Sequence, residues 1–278
     1  MENNVKSELK METDSVEVSG GRRNGEFPPT QIDGAPRIRE IQADADFPLV
    51  LRRRETNGDV VRHKIVSEAF SILRSRMLSV HNKLGIKSVV VTSAESGDGK
   101  TLVATNLAMS IAQLATKRVL LVDGDLRAGD VTRILKLKDL PGVADFLSGS
   151  KQFENVIHVV GFPHFSIAPT GLLPKHALPE ILEGPRWNKF LEQAKERFDL
   201  VIVDCVPASA PVADLELVTA PCDAILMVVF MRQTHRTALK RATARLDAKK
   251  FLGVVINNCD EIYKYDYSYY GLDSQTPK

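Results

Sequence analysis

The chain has 278 residues, of which 44% are hydrophobic and 26% are charged. This composition is typical of a globular protein that can bury one sizeable core. The formal net charge of +2 gives no bulk attraction to nucleic acid, so the composition predicts no nucleic-acid partner.

Cysteine usage and the start of the chain bear on the cellular compartment. Cys205, Cys222 and Cys259 are too far apart in sequence to form paired zinc ligands. An odd number of scattered cysteines is typical of a reducing cytosol rather than of a disulfide-linked secreted fold. The polar start has no apolar signal region, and no run of about 20 apolar residues occurs. We therefore expect a cytoplasmic protein.

Two segments precede the main pattern of the chain. Residues 1–60 are rich in Glu, Asp, Arg, Gly and Pro without sustained periodicity, which predicts a disordered N-terminal arm. A helix is predicted over 64–80, because apolar residues recur there at spacings of three and four. Its apolar positions are Ile65, Ala69, Ile72, Leu73, Met77 and Val80.

From residue 88 onward, short apolar runs alternate with helix-like stretches. The runs occupy 88–93, 118–123, 165–170, 200–204, 224–230 and 252–257, and the helical stretches occupy 100–115, 130–137, 178–197, 212–220 and 234–249. Strands that are apolar on both faces and alternate with helices indicate a parallel sheet covered on both sides. The right-handed crossover rule then predicts a three-layer α/β fold with a mostly parallel, doubly wound sheet, and we place this domain at 61–262.

The segment "TSAESGDGKTLVATNLA" joins the first strand of this domain to its first helix. Gly97 and Gly99 allow backbone N–H groups to surround a phosphate, and Lys100 is placed to reach the β- and γ-phosphates. The Thr101 hydroxyl is the expected Mg²⁺ ligand. The segment therefore predicts a P-loop NTPase-like fold that binds ATP and Mg²⁺.

Three other positions belong to this phosphate-binding segment. Asp98 and Leu102 are predicted to line the nucleotide together with the glycines. Ala94 stands where the pattern G-x-x-x-x-G-K-[ST] has its first glycine, so the pattern is not met in full. Alanine is small enough to allow close approach of a phosphate.

Two further strands end in carboxylates. Asp123, Asp125 and then Arg127 lie in "VLLVDGDLR", and Asp204 lies in "LVIVDCVP". Because the carboxyl ends of strands line one crevice in a doubly wound sheet, we expect all three carboxylates to face the phosphate loop. Asp204 fits the Walker B role of holding Mg²⁺ through water. Either Asp123 or Asp125 is expected to orient or deprotonate an attacking hydroxyl, and Arg127 to bind phosphate or an acidic partner.

Asn257 and Asn258 end the last predicted strand. Asn257 is a candidate for contacting the edge of adenine, and we include it among the nucleotide-binding residues. A simple turn is the other interpretation of this pair.

All tyrosines of the chain lie in one short window, at Tyr263, Tyr265, Tyr267, Tyr269 and Tyr270. Their alternation with polar residues is compatible with an edge strand, because tyrosine favours strands. The polar surroundings and the sequence "GLDSQTPK" instead favour a flexible tail over 263–278, in which the tyrosines are accessible. Each phosphorylation would add about −1.5 to −2 charges at pH 7. These charges would repel an acidic catalytic pocket and each other, which predicts weaker docking of the tail in that pocket and a looser oligomer.

The three motifs together resemble those of the bacterial tyrosine kinase (BY-kinase) family, the P-loop kinases of capsule and exopolysaccharide synthesis. The resemblance covers about residues 61–270. The family has an apolar-D-x-D-x-R motif after its P-loop, here "LLVDGDLR", and a Walker B motif of the form apolar-D-x-x-P, here "VIVDCVP". "PGVADFLSG" at 141–149 is similar to a linking segment of the family, and "APTGLLPKHALPEIL" to a further one.

The resemblance implies a protein-tyrosine autokinase that uses ATP and Mg²⁺ and phosphorylates its C-terminal tyrosines in trans. By resemblance, Asp123 and Asp125 are the catalytic and metal-linked carboxylates. Lys100 and Thr101 serve ATP and Mg²⁺, and Asp204 completes the metal site. The implied role is regulation of capsule or exopolysaccharide synthesis and export.

The resemblance also implies partners. They are a separate transmembrane polysaccharide co-polymerase that activates the kinase, a cognate tyrosine phosphatase, and further copies of the chain in a ring-like oligomer. The protein would lie at the inner face of the plasma membrane through the co-polymerase. In the family's contact helix, E-x-x-R-x-x-R, Glu68 and Arg74 match but Ser71 departs, so we expect a weaker or differently arranged oligomer.

Two other functions stay open from the sequence. A ParA/MinD-type positioning ATPase shares the predicted fold, but its P-loop carries a signature lysine at the position of Glu95. An ATP-binding adaptor of the polysaccharide machinery without kinase activity is compatible with Ala94 and with the altered contact helix.

Overall fold

The computed structural model describes residues 57–161, 163–172 and 178–259. The predicted tail over 263–278, with all five tyrosines, lies outside the described residues, and so does most of the predicted arm. Residues 57–60, which we predicted to belong to the arm, form the start of the first helix.

Helix α1 (Asn57–Leu84) contains the whole helix predicted over 64–80. It packs against helix α2 (Lys100–Ala112). Met77 is buried in this contact, and Arg74 donates from Nη1 to the backbone O and Oγ of Ser110 at 2.9 and 3.0 Å. One stripe of α1 therefore faces the domain, while Ile72 stays 52% exposed.

A seven-stranded sheet forms the centre of the domain. Its strands are β1 (Ser88–Ser93), β2 (Val119–Asp123), β3 (His158–Val159), β4 (Phe165–Ala168), β5 (Leu200–Asp204), β6 (Ala224–Phe230) and β7 (Phe251–Asn257). Their order in space is β3-β4-β2-β5-β1-β6-β7. All neighbouring pairs are parallel except β3 and β4. The predicted mostly parallel, doubly wound α/β fold is therefore confirmed.

The three central strands β1, β2 and β5 are buried along their whole length. Their apolar, β-branched sequences are typical of strands covered on both faces. Alternate residues belong to two separate cores: Val90 packs on one face of the sheet and Val89 on the other. The period of two along a strand thus divides one apolar run between two layers of helices.

Six further helices complete these layers. They are α3 (Asp130–Ile134), α4 (Val143–Leu147), α5 (Leu178–Leu182), α6 (Arg186–Arg197), α7 (Asp214–Thr219) and α8 (Arg236–Ala244), with a short 3₁₀ helix at Phe153–Val156. Helices α1 and α2 pack on one face of the sheet. On the other face, Trp187 and Phe190 of α6 stack with ring centroids 5.5 Å apart.

The structure differs from the sequence prediction in three places. The helix predicted over 178–197 is two helices, α5 and α6, because Gly184 and Pro185 separate them. Proline suits a helix start but disrupts a helix interior. Strand β3 and helix α4 were not predicted, because elements of two and five residues are too short to show a period.

The carboxyl ends of the parallel strands meet at one edge of the sheet. Asp123 on β2 is the register partner of Asp204 on β5, and Val91 on β1 is the register partner of the same Asp204. The loop after β1 therefore begins next to both acidic strand ends, as the doubly wound topology predicts. In the part of the chain that the structure describes, no helix is both long and apolar enough to cross a bilayer.

Candidate functional site

The loop 94–99 between β1 and α2 has the backbone geometry of a phosphate-binding loop. Gly97 and Gly99 have φ angles of +90° and +96°, in the left-handed region that favours glycine. Gly99 is the N-cap of α2, so the first N–H groups of that helix lack helical acceptors. Together, the loop and the helix N-terminus form a cradle for an anion.

Asp98 holds this loop from inside. Its side chain is buried, with Oδ2 accepting the Glu95 N–H at 2.8 Å and Oδ1 accepting the Thr234 hydroxyl at 2.8 Å. Asn257 donates from Nδ2 to the backbone O of Asp98 at 2.9 Å. The carboxylate of Asp98 therefore links the loop to the segment after β6, and its backbone carbonyl links the loop to the end of β7. The predicted contact of Asp98 with a nucleotide stays a prediction.

Ala94 occupies the position at which the phosphate-loop pattern has glycine. Its side chain is 1% exposed and belongs to the hydrophobic core, and its N–H donates to the Val228 carbonyl at 3.2 Å. The departure from the pattern is thus accommodated by core packing. Gly97 and Gly99 have positive φ angles with Ala94 in place.

Lys100, the first residue of α2, places its ammonium group among three carboxylates. Nζ lies 3.2 Å from Asp125 Oδ2, 3.6 Å from Asp204 Oδ2 and 3.9 Å from Asp130 Oδ2. Burial alone would lower the pKa of Lys100, but the carboxylates of Asp204 and Asp125 outweigh burial and raise it above its ordinary value. Lys100 is therefore a cation at neutral pH.

Thr101 connects this loop to the end of β5. Its hydroxyl donates to Asp204 Oδ2 at 2.7 Å. Asp204 is fully buried, and burial raises the pKa of its carboxyl to about 6 although Lys100 opposes the shift. The second oxygen, Asp204 Oδ1, has no hydrogen-bond partner among the described residues. A buried polar atom without a partner is costly, so this oxygen points to a ligand.

Asp123 lies beside Asp204 at the end of β2. Its Oδ2 accepts the Thr132 N–H at 2.8 Å and the Thr132 hydroxyl at 2.7 Å. Burial and the charge of Asp204 raise the pKa of Asp123 to about 7, against the effect of the Thr132 hydrogen bonds. Within the described residues, Asp123 Oδ1 also lacks a partner. The two strand ends thus present two unpartnered carboxylate oxygens.

This donor set fits Mg²⁺ held together with a nucleotide. Mg²⁺ usually takes one or two carboxylates, with phosphate oxygens and water completing its shell. Asp204, Asp123 and the Thr101 hydroxyl offer those oxygen donors. Across residues 57–161, 163–172 and 178–259, no three His, Cys, Asp or Glu side chains form a protein-only metal cage. Bound ATP and Mg²⁺ would supply the phosphoryl group and the positive charge that this buried acidic site lacks.

Arg127 forms a bidentate ion pair rather than an open phosphate site. It donates from Nε and Nη2 to the two oxygens of Asp214 at 2.7 and 3.1 Å, and hydrogen bonding to the Asp214 carboxylate raises the pKa of Arg127 further. Asp214 begins α7, so the pair fixes the far end of the loop that follows β5. The predicted phosphate contact of Arg127 stays a prediction.

Arg245 holds the same loop from the other side. It donates to the carbonyl oxygens of Ala208 and Ala210, both at 2.6 Å, and to that of Val212 at 2.8 Å. It also pairs with Glu216 at 2.8 Å. The loop between Asp204 and α7 is therefore held by two arginines that lie far from it in sequence.

Asn257 and Leu102 lie beside the phosphate loop. Both functional groups of the Asn257 amide are engaged: Nδ2 with Asp98, and Oδ1 as acceptor of the Asn258 N–H at 2.9 Å. A Cβ on Gly99 would collide with this amide. Leu102 lies half-buried in the first turn of α2. Contacts of either residue with a nucleotide stay predictions.

Thr132 is a site residue that the sequence analysis missed. Its hydroxyl donates to Asp123 and accepts the Thr170 N–H at 2.9 Å. Thr170 belongs to the segment 169–172, which Asp145 of the linking motif holds by accepting the Leu172 N–H at 3.0 Å. No local pattern signals these contacts, because Thr132 and Thr170 lie 38 positions apart. Asp130, the third carboxylate near Lys100, was missed for the same reason.

Comparison with known proteins agrees with this geometry. A family model described as an AAA domain matches residues 86–247, which is more than half of the chain. A putative tyrosine-protein kinase, EpsB of Ralstonia solanacearum, is 35% identical over 211 residues, which cover 73% of this chain and 27% of that protein. The tyrosine-protein kinase CpsD of Streptococcus agalactiae is 30% identical over 190 residues, which cover 66% of this chain and 82% of that protein.

A solved structure agrees with the fold. The kinase domain of the Escherichia coli tyrosine kinase ETK superposes with a TM-score of 0.62 at 27% identity, covering 72% of this chain and 80% of that chain. The chain spans only a small part of EpsB but most of CpsD. The phosphate loop and both acidic strand ends lie within the region 86–247 that the family model matches. The chain therefore belongs to the bacterial tyrosine kinase family.

Proposed function

We propose that this chain is a protein-tyrosine autokinase that uses ATP and Mg²⁺ to phosphorylate its own C-terminal tyrosines in trans. The observation that carries the proposal is the pair of buried acids at the carboxyl edge, each with an unpartnered oxygen beside the phosphate loop. Membership of the tyrosine kinase family supports the same activity. The acceptors are Tyr263, Tyr265, Tyr267, Tyr269 and Tyr270.

In this proposal each side chain of the site has a distinct role. Thr101 and Asp204 hold Mg²⁺, and Asp123 joins the same shell through its free Oδ1. Asp123 also accepts the proton of the attacking tyrosine hydroxyl as general base. Lys100 stabilises the negative charge that develops on the phosphate oxygens. Asp125 orients Lys100 through the ion pair at 3.2 Å.

The proposal includes the partners implied by the family. A separate transmembrane co-polymerase of capsule or exopolysaccharide synthesis activates the kinase and holds it at the inner face of the plasma membrane. A tyrosine phosphatase reverses the reaction. Copies of the chain form a ring in which α1 contributes the exposed Glu68 and Ile72. Arg74 contributes less in this arrangement, because it is already bonded to Ser110.

The test is autophosphorylation of the purified full chain with ATP and Mg²⁺, probed for phosphotyrosine. Lys100→Met should reduce phosphotyrosine by about 10²–10³-fold, because it removes the cation that stabilises the transferring group. Replacement of the five tyrosines by phenylalanine should abolish the signal. Lys151→Met, at an exposed site, is the matched control and should leave the signal unchanged.

Transfer in trans is tested by mixing two variants. The Lys100→Met chain supplies intact tyrosines without activity, and the five-phenylalanine chain supplies activity without acceptors. Phosphotyrosine on the Lys100→Met chain is the expected result. If the unmodified chain forms no phosphotyrosine even with the cytoplasmic segment of its activator, the proposed kinase activity is wrong.

A further inference from the structure

Helix α8 presents a row of cations that the phosphate site does not use. Arg236, Lys240 and Arg241 have exposed side chains, and none of them contacts an acid in the part of the chain that the structure describes. The sequence from Met231 to Leu246 contains no Asp or Glu. Arg245, one turn further on, differs because it is engaged with carbonyl groups and Glu216. The three exposed cations are therefore free to bind an anion.

An exposed apolar pair lies on the neighbouring strand. Val254 and Ile256 of β7 are 43% and 58% exposed. They alternate with Val255, which packs into the core shared with α1 and α2. Since successive side chains of a strand point to opposite faces, Val254 and Ile256 project on the side of the sheet that α8 covers. Leu239 and Ala242 of α8 pack into the core on that same side.

These features lie on the same side of the sheet, and we call them together the α8–β7 surface, defined by Arg236, Lys240, Arg241, Val254 and Ile256. Strand β7 is the last strand of the sheet, so one of its edges has no neighbouring strand among the described residues. The surface therefore combines a free strand edge, an apolar strip and a row of cations. A segment that carries both aromatic rings and negative charges would complement all three.

The segment that follows β7 has this chemistry. Residues 260–270, "DEIYKYDYSYY", contain three acids and all five tyrosines of the chain. Tyrosine rings suit the apolar strip, and arginine and lysine are the usual partners of phosphate groups. Phosphorylation would add about −1.5 to −2 charges per tyrosine to a segment that is already acidic.

The segment also starts beside the surface. Asn257 at the end of β7 is the register partner of Phe230 at the end of β6, and it accepts the Met231 N–H at 2.9 Å. Helix α8 begins at Arg236, shortly after that point. Tyr263 lies six residues beyond Asn257 and can be at most about 20 Å from it, whereas α8, with nine residues, is about 13 Å long. The surface is therefore within reach of its own chain.

We propose that the α8–β7 surface binds the phosphorylated segment 260–270 of the same chain. Binding involves ion pairs and apolar contacts only, with no further covalent step. Its physiological meaning rests on the proposed autokinase function, because that activity would produce the phosphotyrosines. A chain whose tail is bound in this way holds its product against its own surface and no longer offers acceptors to a neighbour.

The test uses the full chain with phosphotyrosine installed by an unrelated tyrosine kinase, so that docking is measured whether or not the chain phosphorylates itself. Hydrogen–deuterium exchange is compared between the phosphorylated chain and the same sample after phosphatase treatment. Phosphorylation should slow exchange in β7, because its edge gains a partner. Docking of the phosphorylated segment should also slow the removal of its phosphate by a tyrosine phosphatase. The rate should be about tenfold lower than in a chain whose segment does not dock, since charge-assisted contacts must first open.

The variant that removes the cations is Arg236→Gln, Lys240→Gln and Arg241→Gln combined. It should lose both effects while remaining folded, because these side chains are exposed and have no acidic partner among the described residues. The matched control is Lys138→Gln, Lys151→Gln and Lys189→Gln, which makes the same change in net charge at other exposed positions. The control should retain both effects. Protection that is independent of protein concentration would identify binding within one chain.

Several results would overturn the proposal. Equal exchange in β7 with and without phosphate would mean that the segment does not dock there. Equal phosphatase rates for the cation-free variant and its control would exclude α8 as the binding element. Binding to vesicles containing anionic lipid, lost in the cation-free variant without any change in tail protection, would assign the surface to a membrane instead. Failure of autophosphorylation alone would overturn the kinase proposal but not the docking.

Discussion

At the amino-terminal edge of the sheet, Asp223 has partners for both of its carboxylate oxygens. Oδ2 accepts the N–H groups of Lys87 and Ser88 at 2.8 and 2.9 Å, and Oδ1 pairs with Lys195 at 2.6 Å. At the carboxyl edge, Asp123 and Asp204 are more deeply buried, yet each has one oxygen without a hydrogen-bond partner in the described part of the chain. The same residue type is thus fully bonded at one edge and incompletely bonded at the other.

The pKa values of these groups follow the same division. Burial acts on all three carboxyls, but at Asp223 the hydrogen bonds from Lys195 and the backbone outweigh it and lower the pKa. At Asp123 and Asp204 burial dominates, and the pKa values rise to about 7 and about 6. Asp223 therefore stabilises the fold at neutral pH, whereas the two other carboxylates cost stability until a cation reaches them. This difference separates an acid that holds the fold together from the two acids that we propose to hold Mg²⁺.

Exchanging the acids for amides at both edges is the strongest test of the comparison. Asp204→Asn should reduce tyrosine phosphorylation by about 10²–10³-fold, because it weakens the site for the metal charge. Asp223→Asn should leave phosphorylation intact and reduce the free energy of unfolding by about 1–3 kcal/mol, because charged hydrogen bonds are lost. Kinase assays and urea unfolding measure the two effects. Loss of activity in Asp223→Asn at a temperature where it is folded would contradict the division.

Thr132→Val removes the hydroxyl that holds Asp123 while preserving the shape of the side chain. We expect the kcat for tyrosine phosphorylation to fall by about 10–100-fold, since misplacement of a catalytic group is costly. The KM for ATP should change little, because Thr132 contacts neither Lys100 nor Thr101. Thr132→Ser, which keeps the hydroxyl, should restore most of the rate.

The control for Thr132→Val is Thr219→Val on α7. Thr219 is also buried, but its hydroxyl donates to the Leu215 and Glu216 carbonyls of its own helix. Both variants lose a buried hydroxyl, and we expect a similar loss of stability in each. A fall in kcat that occurs only in Thr132→Val is therefore not explained by lower stability. Equal kcat values for the two variants would show that Thr132 has no role in positioning Asp123.

Stability as a function of pH gives the smallest expected effect. The pKa of Asp123 is raised on folding, so the nucleotide-free protein should lose stability as pH rises from about 4 to about 7. Asp123→Asn removes this loss, and the variant should be more stable than the unmodified chain by about 1–3 kcal/mol at pH 8. Thermal unfolding without nucleotide or Mg²⁺ measures the difference in stability between the variant and the unmodified chain. This difference should approach zero towards pH 4.

Asp223→Asn should show the opposite pH dependence. Its carboxyl has a lowered pKa when folded, so the stabilisation is present above about pH 4 and is lost as pH falls through the folded value. The unmodified chain should therefore exceed this variant in stability at neutral pH and approach it in acid. Parallel pH curves for the Asp123 and Asp223 variants would invalidate the contrast between the two edges.

The strands of the fold were predictable because burial on both faces produces continuous apolar runs. The six predicted strands all occur, and they occur in a parallel sheet. The elements that the sequence analysis did not predict correctly have local causes. Strand β3 has two residues, which is too short for any period. The break between α5 and α6 at Pro185 follows from a known preference of proline, but the apolar spacing on both sides concealed it.

The candidate site was predictable only where a motif is local. Lys100 and Thr101 are adjacent, and the acidic residues follow strands that the topology brings together. The residues that support them were not predictable, because their partners are distant in sequence. Thr234 bonds to Asp98 across 136 positions, and Arg127 pairs with Asp214 across 87. Such contacts are determined by the packing of the whole chain and leave no periodic signal.

The loop after β5 illustrates a thermodynamic consequence of this packing. Arg245 and the Arg127–Asp214 pair fix the loop at several points through contacts that the chain makes with itself. The conformational entropy of the loop is therefore lost once, when the chain folds, and is not lost again when nucleotide arrives. The affinity for nucleotide then reflects contacts with a surface that is already ordered. Two arginines outside the phosphate loop thus make Asp204 a rigid ligand.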